Sequence, residues 1–132
     1  MDVGGLPDRT EIAHQSRAAE IASRAIADAR RRVAPGATPV EIAAFIESSL
    51  VASGATPSLR AVRAPSGALF PAAACISVNE VAVNGVPGSE PLRAGDVLTL
   101  DTACAVEGWH ADAATTVTVG AEPHRIQKAA RG

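Results

Sequence analysis

The stretch "VLTLDTACAVEGWHADAATTVTV", Val97–Val119, reads as two strands joined by a tight turn at Glu107-Gly108. Apolar and polar residues alternate on both sides of that dipeptide, the period of a strand with one buried face. A two-residue hairpin pairs Val106 with Trp109 and sets Asp101 opposite Ala114. One face of the ribbon then carries Leu98, Leu100, Cys104 and Val106 with Trp109, Ala111, Ala113, Val117 and Val119. The other carries Thr99, Asp101, His110, Asp112, Thr116 and Thr118. A slip of one residue would mix the two sets, so their separation supports this register.

Asp112 is then the diagonal neighbour of Asp101, at roughly 5–8 Å. Like charges that close repel unless water or a cation lies between them. Alternation leaves both readings open: a solvated polar face, or a pair bridged by a metal. Paired carboxylates suit hard or borderline divalent ions such as Mn, Co, Fe or Zn. Two such ions about 3.5–4 Å apart can activate a shared water and polarise a carbonyl.

Upstream of the hairpin the texture is helical. "DRTE", Asp8–Glu11, offers an N-cap with an acid three residues on, and Ile12, Ala19, Ile26, Ala29 and Val33 recur at near-helical spacing until Pro35-Gly36. "TPVE" opens a second helix, with Thr38 as N-cap and Pro39 at its first position. Ile42, Phe45, Ile46, Leu50 and Val51 form its stripe, and Gly54 is its stop. "SLRAVR" and "CISVNEVAV" are further strand candidates, Asn84–Asp96 is a loop rich in Gly and Pro, and "AEPHRIQKAARG" begins like a third helix. Helices followed by strands predict a single α+β domain over residues 1–132, two N-terminal helices packed on a mainly antiparallel sheet.

Apolar residues make up 47 % of the chain but aromatics only 2 %, so the core is built from Ala, Val, Leu and Ile. A net charge of −2 offers nothing to nucleic acid or anionic lipid. The one basic run, Arg30–Arg32, reads as a solvated helix end. Cys75 and Cys104 have no metal-type spacing and read as free thiols, which fits the cytoplasm. No secretory signal and no membrane-spanning apolar run is read.

Three strings carry a family resemblance: "CISVNEVAVNGVP", "PLRAGDVLTLD" and "EGWHAD", in that order and spacing. Together they resemble the N-terminal half of type I methionine aminopeptidases, of the pita-bread metallopeptidase superfamily. The resemblance covers nearly all of this chain but about half of a family member. It implies half of a pita-bread fold and a hydrolase that removes N-terminal methionine from peptides or nascent proteins. It also implies up to two divalent metal ions (Co, Mn, Fe or Zn), with Asp101 and Asp112 as ligands. Asn84 stands at the family's catalytic histidine position, and Asn can donate a hydrogen bond but cannot act as a cation. Phe70 and Cys75 match positions lining the pocket for the methionine side chain, while Ala64 and Gly67 fall where bulkier residues sit, implying a wider pocket. The other half of such an enzyme contributes a histidine and two glutamates that His14, His110 and His124 do not replace. The partner expected is therefore a complementary C-terminal half, or a second copy of the chain. A non-catalytic pita-bread binding module, in the form of a homodimer, is the alternative.

Overall fold

The computed structural model describes residues 8–79 and 85–120. Asn84, the end of "CISVNEVAV" and the expected third helix with His124 lie outside the described residues. The order of elements is helix α1 (Arg9–Arg30), helix α2 (Pro39–Ala52), strand β1 (Thr56–Pro57), a 3-10 turn (Leu59–Ala61), β2 (Ala74–Val78), β3 (Val97–Val106) and β4 (Trp109–Thr118). Every strand pairing is antiparallel. The α+β arrangement expected from the sequence is the one observed.

Local signals set the helix ends. The Glu11 N–H donates to Asp8 Oδ1 at 2.8 Å and the Asp8 N–H donates to Glu11 Oε1 at 3.0 Å, a reciprocal box that satisfies two donors left over by the first turn. Thr38 Oγ1 accepts from the Glu41 N–H at 3.2 Å, with Pro39 following where no donor is needed. At the other end of α2, Gly54 takes φ 87°, and the N–H groups of Gly54 and Ala55 donate to the carbonyls of Val51 and Leu50. This left-handed closure needs glycine.

β3 is the central strand. β4 runs along one side of it for its whole length, from Val97 opposite Thr118 to Val106 opposite Trp109. The other side is shared end to end: β2 takes Leu98 to Thr102, and β1 takes Cys104 and Ala105. The register expected for the hairpin is the observed one. "SLRAVR" differs: Leu59–Ala61 is a 3-10 turn, and Arg63 makes only an isolated bridge to Leu69. Arg60 explains part of this, because its guanidinium binds the Glu47 carboxylate of α2 through two bonds of 2.7 Å and holds the turn against the helix.

The helices cover one face of the sheet, α1 lying against β3 and β4 and α2 against β1 and β2. Leu98, Leu100, Thr102 and Cys104 of β3 are fully buried there, with Ile42, Ile46 and Leu50 of α2. Each of the larger side chains contributes about 1.5–3 kcal/mol of burial. The face that α1 presents is turned from the expected stripe. Ala18, Ile21, Ala22, Ala25, Ile26 and Ala29 are buried, whereas Ile12 is half exposed and Ala19 exposed. Four alanines on that face let the helix approach closely, and Cys104 Sγ donates to the Ala18 carbonyl at 3.3 Å. In α2, Ile42, Ile46 and Leu50 are buried as expected, but Val51 is not. Beyond α1, the Arg32 guanidinium lies 4.0 Å over the Phe45 ring.

Candidate functional site

The face of the sheet away from the helices carries the polar half of the alternation. β3 is buried at every second residue from Leu98, and Asp101 belongs to the outward set. The turn that aims β4 is a mirror-image hairpin turn, with φ 51° at Glu107 and 81° at Gly108, whose twist matches that of the strands. Because Asp101 pairs with Ala114, and Ala103 with Asp112, both aspartates leave the sheet on the same side. Both are exposed.

Their electrostatics agree with that placement. Partial burial raises the Asp101 carboxyl above the usual carboxylate range, and the negative charge of Asp112 pushes it the same way. β2 adds a third group: Cys75 pairs directly with Asp101, so its side chain leaves on the same face. Desolvation lifts the Cys75 thiol and the Asp101 charge lifts it further. Both causes favour the neutral thiol beside the acids.

Gly85 closes over this corner. Its carbonyl accepts from the Ile76 N–H at 2.8 Å, and a Cβ placed on it would lie 2.8 Å from Cys75 Cβ. With φ 68° as well, position 85 requires glycine on two counts. His110 shares the polar face, but its Nδ1 lies 2.9 Å from Ser58 Oγ and the ring is occupied in tying β4 to the segment after β1. Phe70 lies in the loop before β2; its N–H donates to the Val62 carbonyl and its ring is half-buried against the core. The sheet thus brings Asp101, Asp112 and Cys75 together, while Asn84 lies outside the described residues. Among the described residues no group of three or more His, Cys, Asp or Glu forms a complete metal site. Asp101 and Asp112 leave the sheet on one side, a pair suited in charge and hardness to a divalent ion but short of its usual ligand count.

Sequence reasoning missed Ser58 and Gly85. "NG" at Asn84-Gly85 signals a turn, but nothing in it shows that the glycine meets a cysteine ten residues earlier.

Residues 13–131 match metallopeptidase family M24. The chain is 33 % identical over 126 residues to a methionine aminopeptidase of Clostridium perfringens, covering 96 % of this chain and 49 % of that one. It is 34 % identical over 119 residues to methionine aminopeptidase 1 of Mycobacterium tuberculosis, covering 88 % and 43 %. The fold superposes on the crystal structure of a methionine aminopeptidase from Thermotoga maritima with a TM-score of 0.80 at 24 % identity, over 96 % of this chain and 49 % of that one. The chain spans about half the length of these relatives, and its two helices and antiparallel sheet are half of the pita-bread architecture.

Proposed function

The chain belongs to metallopeptidase family M24, and from that membership we propose that it is a methionine aminopeptidase-like segment carrying one part of a dinuclear metal centre. The observation that supports this reading most directly is the hairpin register. It sends Asp101 and Asp112 out of one face, close enough for one carboxylate to perturb the other. An exposed acid pair contributes repulsion to an empty fold and attraction to a loaded one.

In this reading Asp101 and Asp112 hold the metal in part, with Mn, Co, Fe or Zn as the candidate ions. When bound, such ions polarise the scissile carbonyl and make a water nucleophilic near neutral pH. The neutral Cys75 thiol and the Phe70 ring line the space for the methionine side chain, and Asn84 stands in the sequence at the family's catalytic histidine position, with an amide that can donate a hydrogen bond but carries no charge. Two carboxylates bind a divalent ion weakly, so full activity rests on a complementary C-terminal half that brings the remaining ligands and the general base. N-terminal Met peptides or nascent proteins are the substrates. The free thiols Cys75 and Cys104 agree with a cytoplasmic setting, and no helix among the described residues is long and apolar enough to cross a membrane.

Calorimetric titration with Mn²⁺ tests the reading, on the chain and on the chain mixed with the C-terminal half of a family member. Uptake should be weak alone, tighter in the mixture, and lost in both with Asp101→Asn or Asp112→Asn. Hydrolysis of an N-terminal Met peptide should accompany the mixture only. Absence of divalent-ion uptake in both samples would refute it.

A further inference from the structure

We propose that the Arg60 guanidinium is a positioning group that pins the base of the Val62–Phe70 loop to α2 and so sets where the Phe70 ring stands. What that ring touches comes from the peptidase reading above; how the loop is held does not.

The loop is closed on itself. The Phe70 N–H donates to the Val62 carbonyl at 2.8 Å, the Ala64 N–H donates to the Ala68 carbonyl at 2.9 Å, and Arg63 bridges Leu69 between them. Arg63 Nη1 donates to the Gly67 carbonyl at 2.7 Å and fastens the tip. These bonds fix the shape of the loop but not its place on the body. Burial does little to place it, since every residue from Arg60 to Leu69 is exposed, Val62 and Leu69 among them. Of the loop residues Phe70 alone is half-buried.

One side chain reaches beyond the loop and its turn. Arg60, two residues before the base, donates through Nε and Nη2 to the two Glu47 oxygens of α2, each at 2.7 Å. Its Nη1 donates to the carbonyl of Pro71, just past the base, at 3.3 Å. The guanidinium therefore joins the 3-10 turn, the helix and the chain leaving the loop. Among the described residues, every other hydrogen bond made by Ala61–Phe70 stays between Ser58 and Phe70. Beside the fork is a cavity of about 290 Å³, lined by Val40, Ala43, Pro71 and Val86 as well as by Glu47 and Arg60. The fork thus spans a gap between helix and loop base. An exposed ion pair of the ordinary kind contributes little, but two parallel bonds on a planar fork also fix geometry. A lysine would keep the charge and lose the fork.

Without Arg60 the loop keeps its shape and loses its tie to α2, so the Phe70 ring shifts. In the peptidase reading that ring meets the methionine side chain and not the scissile carbonyl, so the shift weakens binding more than chemistry.

Hydrogen exchange on the full chain, comparing the parent with Arg60→Gln and Arg60→Lys, tests the tie. The Arg60 side chain is 46 % exposed, so both replacements spare the core. The Phe70 amide should exchange about threefold faster or more in Arg60→Gln and nearly as fast in Arg60→Lys, while the Ile46 and Leu50 amides of α2 keep their parent rates. In the chain mixed with the C-terminal half of a family member, Arg60→Gln should raise KM for an N-terminal Met peptide about threefold or more and leave kcat unchanged. An unaltered Phe70 amide in Arg60→Gln, or parent behaviour in Arg60→Lys, overturns the proposal. So do α2 amides that quicken in step with Phe70, because overall stability would then be what changed. Faster exchange at Phe70 with an unchanged KM overturns its part in substrate binding. A parent mixture that hydrolyses no Met peptide defeats the peptidase reading alone, and the exchange rates still decide whether Arg60 holds the loop.

Discussion

Gly85→Ala is the substitution with the largest consequence for the corner where β2 meets the acid pair. It adds one methyl group and meets two separate penalties. An L-residue held at φ 68° costs about 1–2 kcal/mol. The new Cβ would also lie 2.8 Å from Cys75 Cβ and 3.5 Å from Cys75 Cα, atoms that no rotamer change can move. Either β2 or the loop must shift, and overpacking of that kind costs about 1–3 kcal/mol. Together they come to about 3 kcal/mol, or about 10 °C in Tm for a chain of this length. Urea denaturation followed by circular dichroism reads the total. A double-mutant cycle with Cys75→Gly separates the parts, because removing that side chain abolishes the clash but leaves the backbone strain. Gly85→Ala should then cost about 1–2 kcal/mol less in the Cys75→Gly background. Equal costs in the two backgrounds would show that the close approach of Gly85 to Cys75 is wrong.

Thr102→Val keeps the shape of a fully buried residue but removes the hydroxyl that donates to the Ala73 carbonyl at 2.7 Å; thermal unfolding should show a loss of about 1–2 kcal/mol, and a variant as stable as the parent contradicts the bond. Glu107→Asn places at φ 51° a residue that tolerates the left-handed region and should stabilise the hairpin by about 0.5–1 kcal/mol in the same assay. pH separates two carboxylates of opposite sense. Glu47, held below its ordinary range chiefly by the Arg60 hydrogen bond, adds stability above the unfolded carboxylate value that is lost as pH falls through its lowered folded value; Glu47→Gln removes this dependence. Asp101 is raised, so the folded chain holds its proton more tightly than the unfolded one. Its penalty grows as pH climbs from the ordinary carboxylate value through the raised one, and Asp101→Asn should melt higher than the parent at neutral pH in chelator, with no advantage at acid pH.

The elements legible beforehand are those whose cause is local. Asp8 with Glu11, Thr38 with Pro39, and Gly54 each mark a helix end through groups within a few residues of one another, and the observed bonds are the expected ones. The hairpin was legible for the same reason. A turn of two residues leaves one register, and a period of two then assigns every side chain of β3 and β4 to a face, Asp101 and Asp112 among them.

Contacts between segments far apart in the chain had no such signal. Ile12 and Ala19 share the helical period with Ile26, yet α1 turns its alanine-lined side to the sheet because β3 and β4 accept a closely approaching backbone there. Two residues, Thr56 and Pro57, become a strand because the pairing of β2 along β3 ends at Thr102 and leaves the rest of that side to them. Thr102 sits in the leucine row because Ala73 offers its carbonyl, and Ser58 reaches His110 across fifty-two residues. Periodicity determined which residues could share a face; the packing of helix, strand and loop decided which of those faces were covered, because only three-dimensional proximity brings a donor, an acceptor or a missing Cβ to a partner far away in the chain.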